Sequence, residues 1–118
     1  MTSSLRRWLL FALVLAVQFV ALYAPRAPSE GSGWGLDKVV HAALFAAVVW
    51  TGRRAGLPPL WLVPLCALHA PVSELVQAHL LPHRDGTVGD AVADLVGVAI
   101  GALLPVPRAG PGPGRMDE

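Results

Sequence analysis

The chain has 118 residues, of which 54% are hydrophobic and only 14% are charged, a composition too apolar for an ordinary soluble domain. Nine Lys and Arg against eight Asp and Glu give a net charge of +1, which is too small to indicate a nucleic-acid partner. The single cysteine, Cys66, excludes an internal disulfide and a multi-cysteine metal or iron–sulfur site. The composition therefore predicts a membrane protein.

The first predicted span covers Trp8 to Pro25, eighteen residues without a charged side chain. At about 1.5 Å per residue, such a helix crosses most of a hydrocarbon core about 30 Å thick. The basic start and apolar body also resemble a cleavable signal peptide, but no small-x-small cleavage site follows Tyr23. We expect a retained span, with cleavage as the alternative, and then a loop over residues 24–36 that is rich in Pro, Gly and Ser.

The second predicted span has charged residues at its start. The uncharged run from Val39 to Gly52 has only fourteen residues, so a helix that crosses the membrane must begin at Leu36 or Asp37. This start draws Asp37, Lys38 and His41 toward the bilayer.

The third predicted span begins at the Pro58–Pro59 pair, which suits a first helical turn, and runs to about Leu81. It places Glu74 and Gln77 on one helix face, because they are three residues apart. A turn is predicted over residues 82–89, and it contains Arg84.

The fourth predicted span covers Gly89 to Leu104 and starts with two acidic residues, Asp90 and Asp94, four positions apart. Residues 105–118, which are rich in Pro and Gly, are expected to form a disordered cytoplasmic tail. Small residues recur at every fourth position of this helix. Such a stripe permits close helix approach, either within the chain or in a homo-oligomer, and consists here of Gly89, Ala93, Gly97 and Gly101.

The distribution of basic residues predicts the orientation of the four spans. Six basic residues share a side with both termini, and three lie on the other side, which places the termini in the cytoplasm by the positive-inside rule. The expected fold is an all-α domain over residues 1–104, a bundle of four transmembrane helices in a multi-pass protein of the cell membrane. The aromatic residues support the same orientation, because Trp and Tyr favour membrane interfaces. The orientation places Trp8, Trp50 and Trp61 at the inner interface and Tyr23 and Trp34 at the outer one.

Polar residues of three spans should converge near the outer surface, because a carboxylate that faces lipid costs several kcal/mol. His41 and Glu74 are candidates for a catalytic acid and base. No cofactor is expected, and no metal site is predicted because the dense His or Cys spacing of metal motifs is missing. The predicted ligand-binding set is Asp37, Lys38, His41, Glu74, Gln77, Arg84, Asp90 and Asp94.

The order and spacing of these residues resemble the VanZ-like family of small bacterial membrane proteins, over roughly residues 8 to 104. The shared pattern is acidic-Lys-x-x-His, then Glu-x-x-Gln, an Arg after the turn, and Asp-x-x-x-Asn-x-x-Gly. It falls here on Asp37, Lys38, His41, Phe45, Glu74, Gln77, Arg84, Asp90, Asp94 and Gly97. The resemblance implies an integral membrane protein. Some members are linked to reduced teicoplanin susceptibility, but the resemblance implies no reaction.

One residue departs from this pattern, since Asp94 occupies the position of the expected Asn. Three carboxyl groups in or near a membrane are not all charged at low cost, so we expect one to carry a proton. Asp94 is the best candidate, because a neutral acid donates the hydrogen bond that Asn would donate. His69, deeper in the third span, is interpreted as a satisfied core histidine, with a proton pathway to Glu74 as the alternative.

Three functions remain open from the sequence. The first is binding or remodelling of an anionic membrane lipid or lipid-linked envelope precursor, with Arg84 and Lys38 holding its headgroup. The second is a membrane-embedded hydrolase or transferase that uses Glu74 and His41. The third is a structural subunit whose polar residues only fix helix packing.

Overall fold

The computed structural model describes residues 2–24, 34–81 and 87–107. Within these ranges the chain forms four α-helices and no strand, which confirms the all-α class. Each helix overlaps one predicted span. The helices are α1 Ser3–Tyr23, α2 Trp34–Ala55, α3 Pro59–His79 and α4 Val88–Leu103. Arg84 and the tail beyond residue 107 lie outside the described residues.

Two helix starts differ from the sequence-based expectation. The α2 helix begins at Trp34, so residues 34–36 belong to the helix and not to the predicted loop. The α4 helix begins at Val88 because the hydroxyl of Thr87 accepts a hydrogen bond from the Asp90 N–H at 3.0 Å. A threonine at this position satisfies one of the free amide groups of the first turn.

Helix α2 ends at a glycine in the left-handed region, Gly56, with φ of 107°. The Leu57 N–H donates to the Gly52 carbonyl and the Gly56 N–H to the Arg53 carbonyl, both at 3.0 Å, which is the pattern of a Schellman motif. Helix α3 then starts at Pro59, as predicted.

Helix α2 packs against all three other helices, and its contact with α4 is the most extensive. Gly97 and Gly101 of α4 lie against the backbone of Ala42 and Ala46, so closely that a methyl group at either glycine would overlap the neighbouring helix. The predicted small-residue stripe therefore packs against the second helix. Both glycines are buried within the chain and are not left on its surface for a second copy.

The distribution of polar and apolar residues is reversed relative to a soluble bundle. Large apolar side chains cover the exterior, for example Val39, Leu68 and Leu103. Among the described residues, eight polar or charged side chains are buried, including four with ionisable groups. The apolar core between them consists of Leu22, Phe45, Val48, Val49, Leu62, Cys66, Ala70 and Val98.

Two of the four described helices, α1 and α3, are long and apolar enough to cross a membrane. Helix α2 has enough length with 22 residues, but it carries Asp37 and Lys38 near its start and Arg53 and Arg54 near its end. Helix α4 has 16 residues, which at about 1.5 Å per residue is shorter than a full hydrocarbon core.

The contact between α2 and α4 yields a stability prediction. We expect Gly97→Ala to lower the free energy of unfolding by about 1–3 kcal/mol, because the new methyl group forces the helices apart. Gly35→Ala is the matched control, since a methyl group at Gly35 meets nothing within 4 Å. Thermal unfolding in detergent, followed by circular dichroism, measures both. Equal melting of Gly97→Ala and wild type would contradict the packing argument.

Candidate functional site

Six of the eight predicted site residues lie together at one end of α2. Helix α2 contributes three of them, α3 one and α4 two, so three different helices build the site. We call this group the polar cluster, and it consists of Asp37, Lys38, His41, Glu74, Asp90 and Asp94.

His41 is the centre of the polar cluster. Its Nδ1 lies 2.7 Å from Oδ1 of Asp94 and 3.5 Å from Oε1 of Glu74. These side chains come from α2, α4 and α3, and the three residues are only 5%, 0% and 6% exposed. A buried contact of 2.7 Å between a nitrogen and a carboxyl oxygen is a strong hydrogen bond. The His41–Asp94 pair therefore joins α2 to α4 inside the protein.

Two further carboxyl groups lie near the other ring nitrogen of His41. Nε2 of His41 lies 3.8 Å from Oδ1 of Asp37 and 4.0 Å from Oδ2 of Asp90, which is beyond hydrogen-bond length. Lys38 contacts Asp90, with 3.1 Å between Nζ and Oδ1, and its side chain is 30% exposed. Lys38 therefore forms the solvent-accessible edge of the polar cluster.

Glu74 is held by the start of α4. Its Oε2 accepts a hydrogen bond from the Thr87 N–H at 3.1 Å. Two buried carboxyl oxygens, Oε1 of Glu74 and Oδ2 of Asp94, have no hydrogen-bond partner within the described residues. A buried acceptor without a partner is uncommon, so either a proton shared between the two carboxyl groups or a bound ligand would satisfy these atoms.

A groove of about 340 Å³ between α3 and α4 adjoins Glu74. Its walls are mostly apolar, and Glu74 is the acidic residue in its lining. The groove therefore brings apolar surface and one buried carboxyl group side by side. Its lining residues are Pro71, Glu74, Leu75, Ala78, His79, Thr87, Val88 and Ala91.

The hydrogen-bond partner of Asp94 is the side chain of His41, on the neighbouring helix that Gly97 and Gly101 bring close. The 2.7 Å contact requires one proton between the two side chains. That Asp94 itself carries this proton stays a prediction.

Two predicted polar residues of α3 serve packing between helices. The amide of Gln77 donates to the Leu22 carbonyl at 2.9 Å and so ties α3 to the end of α1. His69 has the core environment predicted for it, with its Nε2 2.6 Å from the Tyr23 hydroxyl. The Tyr23 hydroxyl thus bonds to α3, and the expected place of Tyr23 at the outer interface stays a prediction. The Phe19 ring stacks on His69.

Three polar groups of the described residues were not anticipated from the sequence. Gln18 is 1% exposed and comes from α1, and its place as a lone amide in an apolar run was an available signal. The contact of the Thr87 backbone with Glu74 has no such signal, because it depends on the angle between α3 and α4. Arg53 donates to the carbonyls of Gly101 and Leu104, at 2.7 and 2.6 Å, and so anchors the end of α4.

Comparisons with known proteins were made at the level of family, sequence and structure. No family model, no curated protein and no solved structure matched the chain. We therefore infer function from the geometry of the polar cluster.

We predict that the His41–Asp94 hydrogen bond stabilises the protein more than the longer contact between His41 and Asp37 does. We expect Asp94→Leu to reduce the free energy of unfolding by about 1–3 kcal/mol, because it leaves His41 buried without its partner. Asp94→Asn should reduce the free energy of unfolding much less, since the amide still forms a hydrogen bond. A double-mutant cycle with His41→Gln, measured by thermal unfolding in detergent, isolates the coupling.

The matched control cycle pairs His41→Gln with Asp37→Asn, whose contact is 3.8 Å. We expect a coupling energy for Asp94 well above that for Asp37. Equal coupling in the two cycles would show that the short contact has no special weight.

Proposed function

We propose that the chain is a VanZ-like, multi-pass protein of the bacterial inner membrane, with four spans and both termini in the cytoplasm. The support is the apolar exterior around a buried polar cluster, together with the ordered motif of acidic-Lys-x-x-His, Glu-x-x-Gln and paired acids. Helices α1 and α3 have the length and hydropathy of spans. The charged ends of α2 would then lie at the two membrane surfaces.

The basic residues support this orientation. Arg6, Arg7 and Arg54 line one cavity of about 350 Å³, so the start of α1 and the end of α2 meet at a single positive end. Asp37 lies sixteen residues before Arg53 on α2, about 24 Å along the helix, so the polar cluster is at the other end. A positive end is typical of the cytoplasmic side.

Cysteine labelling tests the topology. In a Cys66→Ala background, we expect a cysteine at Val88 to react with an impermeant thiol reagent in intact cells, because Val88 is 82% exposed beside the polar cluster. A cysteine at Ser3 should react only after the cells are permeabilised. Labelling at Ser3 but not Val88 in intact cells would invert the orientation.

For this site, we propose that the polar cluster and its groove bind an anionic amphiphile, either an envelope phospholipid or a lipid-linked wall precursor. The observation that carries the proposal is the apolar groove between α3 and α4 that ends on buried Glu74. An acyl or polyprenyl chain suits the apolar walls, and the headgroup would lie at the polar cluster, beside Lys38. Arg84, from the predicted outer turn, would supply a guanidinium suited to phosphate.

A second candidate function is supported by the short His41–Asp94 contact. An imidazole oriented by a buried carboxyl group is the arrangement of a general base, and Glu74 lies close enough to exchange a proton with it. In this alternative, the same site would hydrolyse the amphiphile or transfer its headgroup. Accumulation of a new lipid product would distinguish the enzyme from the binding protein.

Native mass spectrometry tests binding. We expect the gently purified wild-type protein to retain phosphatidylglycerol or polyprenyl phosphate in preference to phosphatidylcholine, when all three are offered in mixed micelles. Ala91→Trp should abolish the preference, because the indole fills the groove between α3 and α4.

Val92→Trp is the matched control, since Val92 is the next residue of α4, is 54% exposed and does not line the groove. It should bind lipid as wild type does. Which of the two anionic probes is retained decides between a phospholipid and a polyprenyl-linked ligand. Equal retention of all three lipids, or an unchanged preference in Ala91→Trp, would contradict the proposal and favour a purely structural polar cluster.

A further inference from the structure

The charges of the polar cluster do not balance within the described residues. Four carboxyl groups lie beside one lysine and one histidine, and Lys38 already contacts Asp90. An excess of buried carboxyl groups costs free energy unless protons or cations compensate it. An anionic headgroup would add to this excess, and a bound cation would offset it.

The unpartnered oxygens locate where this charge would bind. Oε1 of Glu74 and Oδ2 of Asp94 are both buried without a hydrogen-bond partner, in residues that are 6% and 0% exposed. Oε1 of Glu74 is also the atom that faces Nδ1 of His41. One carboxyl oxygen of Asp94 and one of Glu74 thus lie within 3.5 Å of the same imidazole nitrogen, between α2, α3 and α4.

We propose that His41, Glu74 and Asp94 form a binding site for a divalent transition-metal ion such as Zn²⁺ or Mn²⁺. A mixed set of one imidazole and two carboxylates suits these ions better than Ca²⁺ or Mg²⁺, which prefer oxygen ligands alone. The sequence predicted no metal site because its ligands come singly from three helices. Only the fold brings them together.

The distances fit such an ion after a small adjustment. One ligand atom from each residue lies within 4.8 Å of the others. Ligands bound to zinc at about 2.0–2.1 Å in a tetrahedron are about 3.3 Å apart. The His41 Nδ1 contacts of 2.7 Å to Asp94 and 3.5 Å to Glu74 bracket this separation. The ion would replace the proton that joins His41 to Asp94, as metal binding generally displaces protons.

Neighbouring residues already hold the ligands in place. The Thr87 N–H fixes the second oxygen of Glu74, and hydrogen bonds of this kind orient metal-bound carboxylates. Asp37 and Asp90 face Nε2 of His41 and so favour the tautomer that leaves Nδ1 for the ion.

A rival trio, Asp37, His41 and Asp90, also has its ligand atoms within 4.8 Å. It is the weaker candidate, because Asp90 contacts the ammonium group of Lys38 and the Asp37 side chain is 23% exposed.

Three protein ligands leave at least one coordination position open, as in catalytic metal sites. A phosphate oxygen of the amphiphile would take that position. This last role rests on the proposed lipid binding, whereas the metal site itself rests only on the ligand geometry.

The test is metal titration of the full-length chain in detergent, in a Cys66→Ala background after EDTA treatment. We expect one Zn²⁺ or Mn²⁺ per chain by elemental mass spectrometry, and a higher melting temperature with the ion than without it. Glu74→Gln should weaken binding at least a hundredfold, and Glu74→His should restore zinc binding, because imidazole replaces the lost ligand. The rescue variant keeps the test decisive if Glu74→Gln unfolds.

Asp37→Asn is the comparison variant: Asp37 lies beside His41 but outside the three ligands, so its loss should weaken binding by about tenfold, less than the loss in Glu74→Gln. A large loss in Asp37→Asn with none in Glu74→Gln would overturn the proposal in favour of the rival trio, and the absence of any bound ion would overturn it outright. Lipid retention after EDTA treatment is scored separately. Zinc binding without lipid preference defeats only the lipid proposal, and lipid preference without zinc defeats only the metal site.

Discussion

The close approach of α4 to α2 is the constraint on which the rest of the structure depends. Gly97 and Gly101 have no side chains, so the backbone of α4 lies directly on Ala42 and Ala46. Ala42 follows His41 in the chain, and Asp94 lies one turn before Gly97. The contact between backbones therefore sets the distance between the two side chains, and the 2.7 Å bond is a consequence of the glycine packing. A larger residue at Gly97 would move the site as well as the helix.

The four helices could be predicted from hydropathy and from the Pro- and Gly-rich breaks between apolar runs, because both signals are local in the sequence. Runs of apolar residues gave four helices, and Pro59 and the predicted turn after Leu81 separated them close to the observed ends. The cap at Thr87 was not predicted, because it depends on a single side-chain hydrogen bond. The start of α2 at Trp34 was not predicted either, because residues 34–36 follow directly on a loop-like sequence.

The candidate site was predictable as a set of residues but not as a geometry. The cost of a carboxylate in lipid predicts that polar residues of different spans converge. It does not say which pairs form, because the pairs depend on helix rotation and depth. Gln77 illustrates the limit: it shares a face with Glu74 by spacing, yet its amide bonds to the Leu22 carbonyl of α1.

The two sides of the site differ in how extensively their helices pack, and this difference bears on how a ligand would enter. Helix α4 is fixed to α2 by the glycine contacts at one level and by Arg53, which bonds two carbonyls at the end of α4, at another. Its contact with α3 is less extensive and leaves the groove beside Glu74. His41 and Asp94 therefore belong to the pair of helices with the most extensive contact, whereas Glu74 comes from α3, which packs less extensively on α4. A ligand that enters between α3 and α4 would meet Glu74 first, because Glu74 lines that groove and His41 and Asp94 do not.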